Sequence, residues 1–232
     1  KKGSEAVNAV TWTLALLLGM PALAQTGKVD KGTKEKTKIS ASEVLDAIQE
    51  FYESTEDYQA SFDQVYKNKL YNETKKSSGK VYIKRPGKMR WEYKKPNEKL
   101  FVSDGKVLWV YEAEANQVFK QELTSSELPT AIAFLMGKGD LKKDFKYKLV
   151  ENEKAAKKGL LVIELVPKKA TTQYKKLLFM VDEKSSSVKR TIIVDHSGNT
   201  NSMRFSKVKT NQGVKSKKFK FKMPKGATLV EP

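Results

Sequence analysis

The stretch Gly79–Tyr93, GKVYIKRPGKMRWEY, decides the fold class. It reads as two β-strands folded over a short turn at Pro86-Gly87. Side chains alternate across a strand, so Val81, Ile83 and Arg85 share one face and Lys80, Tyr82 and Lys84 the other. In the second strand Met89, Trp91 and Tyr93 lie together, opposite Lys88, Arg90 and Glu92. The pair offers an apolar, aromatic surface with one arginine, Arg85, at its end. A guanidinium in line with an apolar face needs a partner.

Working outward, period-two segments dominate. A strand is expected from Tyr58 to about Tyr71, with a turn over Asn72–Ser78 before the central hairpin. Leu100–Ser103, Val107–Glu112 and Gln117–Glu122 continue as a meander, with Asp104-Gly105 as a hairpin signal. Further strands are expected over 144–150, 159–166, 175–182, 188–195 and 201–207, and Lys218–Lys222 alternates Lys with Phe219 and Phe221. Two helices interrupt this order. Ser40 to Asp57 opens with a capping-box pair, Ser40 and Glu43, and carries Val44, Leu45, Ile48, Phe51 and Tyr52 on one stripe. Ser125 to Met136 places Leu128, Ile132, Leu135 and Met136 at helical spacing and stops at Gly137-Lys138-Gly139.

There is no βαβ alternation, so a doubly wound fold is excluded. The expectation is a mainly β (α+β) domain: one strongly curved antiparallel sheet of about ten or eleven strands, forming an unclosed half-barrel. A sheet of that many strands must curl or split, and the two amphipathic helices are the natural cover for its concave face. The cover either completes a core or closes over a long hydrophobic ligand such as an acyl chain, and composition leaves both open.

At the N-terminus Lys1-Lys2, an apolar run starting near Val10, and Ala22-Leu23-Ala24 read as a signal peptide over residues 1–24. Residues 25–38 read as a polar tether and 39–232 as a single domain. The net charge is +18; Lys1, Lys2 and Glu5 contribute one net positive charge, so a chain starting at Gln25 carries +17. The lysines recur at alternate positions (80, 84, 88; 142, 146, 148; 218, 220, 222), as on the solvated outer face of a sheet. No recognition motif accompanies them, which argues against nucleic acid.

Chemistry is sparse. The chain has no cysteine and a single histidine, which rules out a cluster of thiolate or imidazole metal ligands. Asp195-His196-Ser197 places would-be triad members on adjacent residues, which point to opposite sides of a strand, so it reads as a turn ending in Gly198-Asn199. The glycines follow no phosphate-loop spacing. No enzyme and no cofactor is expected.

Several blocks resemble the LolA family of periplasmic carriers of outer-membrane lipoproteins. They are Tyr58-Gln59-Ala60-Ser61-Phe62-Asp63-Gln64, the Lys84-Arg85-Pro86 and Arg90-Trp91 blocks, Leu100 to Lys106 followed by Leu108 to Tyr111, and the ending Phe219-Lys220-Phe221 through Pro224, Gly226 and Val230. The resemblance implies an unclosed β-barrel under a helical lid. It implies a monomeric periplasmic chaperone that takes lipoprotein acyl chains from an inner-membrane ABC transporter and passes them to an outer-membrane receptor. It places the lid latch at Arg85 and the acyl-chain cavity at Val81, Ile83, Met89, Trp91 and Tyr93. The lid helices carry Leu45, Ile48 and Phe51, and Leu128, Ile132 and Leu135. Two other functions compatible with the sequence are a carrier or sensor of another amphiphile, such as a glycolipid, and a basic polyanion-binding structural protein.

Overall fold

The computed structural model describes residues 39–123 and 140–230. The expected signal segment, the tether and the second lid helix, with Leu128, Ile132 and Leu135, lie outside the described residues.

Helix α1, Ala41–Glu53, starts where the sequence caps it. The Glu43 amide donates to Ser40 Oγ (3.2 Å) and the Ser40 amide to Glu43 Oε2 (2.7 Å). Its stripe of Val44, Leu45, Ile48 and Phe51 is buried. Twelve strands follow: β1 Asp57–Asn68, β2 Glu73–Lys84, β3 Lys88–Lys95, β4 Lys99–Asp104, β5 Val107–Glu112, β6 Gln117–Glu122, β7 Phe145–Leu149, β8 Leu160–Pro167, β9 Lys176–Asp182, β10 Val188–Val194, β11 Thr200–Thr210 and β12 Thr228–Val230. Two single-turn helices, α2 (Leu141–Asp144) and α3 (Glu153–Ala156), flank β7, and a 3₁₀ turn spans Ser216–Phe219.

The strands form one unclosed curved sheet in the order β12-β6-β5-β4-β3-β2-β1-β11-β10-β9-β8-β7. Two meanders, β1 to β6 and β7 to β11, are joined where β11 lies beside β1. Every pairing is antiparallel except the last, in which β12 runs parallel to β6 and caps its edge. β7 forms the other edge, with Lys146 and Lys148 exposed on it. Within the central hairpin Val81 faces Trp91 and Ile83 faces Met89. Gly87 takes the turn position that needs a positive φ (69°). Gly79 is required for another reason: a Cβ there would sit 2.0 Å from the Glu92 carbonyl oxygen.

Among the described residues the unclosed curved sheet has twelve strands, the one added to the expected ten or eleven being β12. Three expectations are corrected. The Asn72–Ser78 segment is strand: β2 begins at Glu73, and the turn is made by Lys69 to Asn72, with Asn72 at φ 50°. Lys142 lies on α2, not on a strand. Lys218–Lys222 is not a strand either. It belongs to a strap, residues 211–227, that leaves β11, crosses the convex face and delivers β12 to its edge.

The strap is fastened at each step. The Asp57 carboxylate, itself 3% exposed, accepts from the backbone N–H groups of Gln212 (3.0 Å), Gly213 (2.8 Å) and Val214 (3.2 Å). Lys84 donates to the Val214 carbonyl at 2.8 Å. Phe219 of the strap is buried against the sheet, and Phe221 stacks on Trp109 with ring centroids 5.0 Å apart. Farther on, Asn116 Nδ2 donates to the Gly226 carbonyl at 2.8 Å. Val102 is fully buried between the inward-pointing Phe101 and Ser103, because the strap covers the outside of β4.

Candidate functional site: the concave wall and its arginine

The concave face is a wall of aromatic and aliphatic side chains. Val81, Met89, Trp91 and Tyr93 are all under a tenth exposed, and Ile83 packs against them half-buried. Around them stand Tyr58, Phe62, Phe101, Met203 and Phe205. The rings meet edge-on or tilted: Phe62 to Trp91 at 5.1 Å, Phe62 to Tyr93 at 4.8 Å, Tyr93 to Phe101 at 5.8 Å and Trp91 to Phe205 at 6.5 Å between centroids. α1 lies over this wall and contributes Leu45, Ile48 and Phe51 to the same apolar cluster.

Sequence reasoning placed five residues on the wall and missed Phe62, Phe101 and Phe205. A signal existed for each. Phe62 shares a face with Ala60, and Phe101 and Phe205 sit at alternating positions of their strands, directly paired with Trp91 and Phe62 respectively. What could not be read was the pairing of β11 with β1 across the sequence, which brings Phe205 beside Phe62.

Two donors in the wall stand out. Among the described residues, Trp91 Nε1 and the Tyr58 hydroxyl are buried with no hydrogen-bond partner. Burial pushes the Tyr58 hydroxyl far above the ordinary tyrosine range, so it stays protonated and remains a donor. A buried donor left unpaired costs roughly 1–3 kcal/mol.

Arg85 closes the end of the wall. Its Nη1 donates to the carbonyl oxygens of Tyr52 (2.7 Å) and Glu53 (2.9 Å), in the last turn of α1. Helix C-terminal carbonyls lack successors to bond to and carry the negative end of the dipole, so a guanidinium there is doubly suited. The last turn of α1 has no basic residue of its own, so Arg85 supplies the charge from the sheet. The Arg85 amide donates to the Glu56 carbonyl at 2.8 Å, fixing the arginine's backbone to the same corner.

The triad-like segment has the geometry of a turn. The Asp195 carboxylate accepts from the Asn199 amide (2.8 Å) and side chain (2.6 Å), while His196 Nε2 lies 2.7 Å from the Thr171 carbonyl oxygen. Among the described residues no group of His, Asp and Glu could hold a metal ion, and no helix is long and apolar enough to cross a membrane.

Comparison with known proteins agrees with this architecture. A curated outer-membrane lipoprotein carrier protein of Dechloromonas aromatica is 29% identical over 80% of this chain and 86% of its own. One from Cupriavidus pinatubonensis is 32% identical over 67% of this chain and 70% of its own. One from Chromobacterium violaceum is 29% identical over 93% of each. The solved structure of an uncharacterized conserved protein from Thermus thermophilus matches with a TM-score of 0.52 at 14% identity, over 82% of this chain and 98% of that one, a likeness of fold. The family described as outer membrane lipoprotein carrier protein LolA matches residues 53–222, which include the concave wall, Arg85 and most of the strap. With a match over well more than half its length, the chain belongs to the LolA family.

Proposed function

We propose that the protein is a periplasmic lipoprotein carrier that holds acyl chains against the concave wall beneath α1. It receives them from an inner-membrane ABC transporter and yields them to an outer-membrane receptor, with no chemistry on the cargo. The observation that carries this reading is the grip of Arg85 on the last carbonyls of a helix lying across an apolar wall.

The energetics favour a closed form that opens only for the right ligand. In the closed form the stripe of α1 fills the wall. An entering chain must lift α1, expose Leu45, Ile48 and Phe51, and break both Arg85 bonds. Burying an acyl chain returns about 0.8 kcal/mol per CH₂, so a long chain outweighs those losses and a short one does not. The Trp91 and Tyr58 donors suit the ester or amide carbonyl at the head of such a chain, which would relieve their unpaired state.

The test is native mass spectrometry of the mature protein after incubation with a triacylated lipoprotein. A one-to-one complex that disappears when the lipoprotein's acyl chains are removed is the expected result. A complex that survives deacylation, or none at all, overturns the carrier reading. Preferential capture of a glycolipid offered alongside would redirect it to that amphiphile.

A further inference from the structure

The convex face holds a site that the concave wall does not account for. Where the strap crosses β2 and β3 it leaves an open depression of about 610 Å³. Six cations line it: Arg90 from β3, and Lys215, Lys217, Lys218, Lys220 and Lys222 from the strap. A second depression of about 220 Å³ adjoins it, sharing Gln59 and Tyr82 as lining, and adds Lys80, Lys207 and Lys209. Neither lining contains an Asp or a Glu. Together the two run across β11, β1, β2 and β3, three strand spacings or about 14 Å.

Most of these charges are uncompensated. Glu92, just beside the groove, takes Arg90 Nε (2.6 Å) and Lys218 Nζ (3.0 Å), and the Lys218 ammonium also sits 4.1 Å above the Tyr82 ring. Among the described residues no carboxylate pairs with Lys215, Lys217, Lys220 or Lys222, nor with the three lysines of the second depression. Some lysines elsewhere on the sheet do find partners: Lys99 pairs with Glu112, and Lys148 and Lys176 both reach Glu164. The groove therefore gathers like charge around two adjoining depressions whose linings hold no acid. Holding those lysines together costs self-repulsion, and the strap that holds them is anchored by the buried Asp57 carboxylate.

We propose that this groove is a binding site for an anion bearing several clustered phosphates. Charge density selects the class. A peptide carboxylate brings one charge with a whole residue's volume, whereas linked phosphates bring about one charge per phosphorus in far less. Lysine ammoniums act as point charges toward phosphate, and Arg90 adds a planar donor at the groove floor. Tyr82, at the junction of the two depressions, gives the ligand an amphipathic surface to lie on. The same phosphates could belong to a free polyphosphate or to the headgroups of an anionic bilayer. The site is on the opposite face of the sheet from the acyl wall, so it does not depend on the carrier reading.

The probes are sodium tripolyphosphate by calorimetry and phosphatidylglycerol vesicles by co-sedimentation, each on the full chain. The test variant is Lys215→Glu/Lys217→Glu/Lys220→Glu. The control is Lys154→Glu/Lys157→Glu/Lys158→Glu, an equal charge change on exposed residues at α3. The site predicts tripolyphosphate binding that weakens about tenfold or more in the test variant and less than about threefold in the control. Loss of vesicle binding in the same variant, with the control still bound, assigns bilayer headgroups as a source; tripolyphosphate binding without vesicle binding assigns free phosphates. Equal loss in both variants, equal binding of polyglutamate and tripolyphosphate, vesicle binding with no tripolyphosphate binding, or no binding of either probe would each overturn the proposal.

Discussion

Replacing Arg85 by leucine removes two charge-assisted hydrogen bonds, to the Tyr52 and Glu53 carbonyls at 2.7 and 2.9 Å, and leaves the sheet intact. The new side chain continues the apolar face of Val81 and Ile83, so the fold is retained. Hydrogen bonds to charged groups contribute roughly 1.5–3 kcal/mol each. Arg85 is only half-buried, so the low end applies and the pair is worth about 3 kcal/mol. That is the energy of about four buried CH₂ groups, small beside a full acyl chain but enough to tip a transfer equilibrium. Without the latch the open form is easier to reach and nothing is regained on closing. Affinity for a fluorescent fatty acid should rise by about two decades, since 1.4 kcal/mol is tenfold, with most of the change in a slower release. Amide exchange across α1 should quicken in the empty protein. Loading from a donor should persist while transfer to an acceptor falls. Affinity, release and α1 exchange all equal to wild type would refute the latch.

Three further outcomes follow from the same geometry. Asp57→Asn keeps one acceptor oxygen but sets an amide against the strap N–H groups; a loss of about 2–4 kcal/mol is expected, read as a thermal midpoint lower by about 5–15 °C and faster tryptic cleavage between Lys215 and Lys222. Gly79→Ala forces a Cβ to within 2.0 Å of the Glu92 carbonyl oxygen and 2.8 Å of the Phe62 ring, so it should cost about 3 kcal/mol or more, checked by urea denaturation. Burial pushes the Glu92 carboxyl up, but hydrogen bonds and charge from Arg90 and Lys218 outweigh it and hold the pKa below the ordinary 4.5. A depressed acid stabilises the fold above its unfolded value and loses that contribution as pH falls through the folded one. The stability gap between wild type and Glu92→Gln should therefore be constant above about pH 4.5 and shrink below it in melts taken from pH 7 to 3.

The hairpin and the helix were legible because their signals are local. The alternation of Val81, Ile83, Met89, Trp91 and Tyr93 has only one consistent arrangement on a two-stranded pleat, and Ser40 with Glu43 fixes the start of α1 within one turn. The Glu73–Ser78 half of β2 was misread because its residues are polar and mostly exposed. It is strand because β1 continues opposite it, from Asp63 to Asn68, and supplies its backbone partners. The strap was misread for the reverse reason. Phe219 and Phe221 alternate like a strand, but both neighbours of β3 and of β4 are already taken, so no ladder is open to them. One phenylalanine buries against the outside of β3 and β4 while the other stacks on Trp109, and side-chain burial replaces the missing ladder. Asp57 gave no sign of its task at all, because its three partners lie over 150 residues away.

Arg85, the end of α1 and the strap meet at one corner, which would constrain any lifting of α1. Arg85 holds α1 through its side chain and holds Glu56 through its amide. The Glu56 amide donates to Asn211 Oδ1 at 2.9 Å, the Asn211 amide donates to the Asp57 carbonyl at 2.9 Å, and the Asp57 carboxylate fastens residues 212–214. From Glu56 onward the chain is thus fixed to both sheet and strap. Ser54 and Thr55 are tied differently: their hydroxyls donate back to the Phe51 carbonyl, at 3.1 and 2.8 Å, and so belong to the helix. A lifting α1 would carry them with it and pivot between Thr55 and Glu56. The long-range bonds broken at its C-terminal end would then include those of Arg85 and the weak 3.5 Å contact from Asn211 Nδ2 to the Ser54 carbonyl. Farther along, α1 is also tied to α2 by the Lys142–Asp46 ion pair and by the Leu141 amide, which donates to Gln49 Oε1 at 3.2 Å, so a lifting helix would break those bonds as well as those of Arg85 while the strands of the wall keep their ladder.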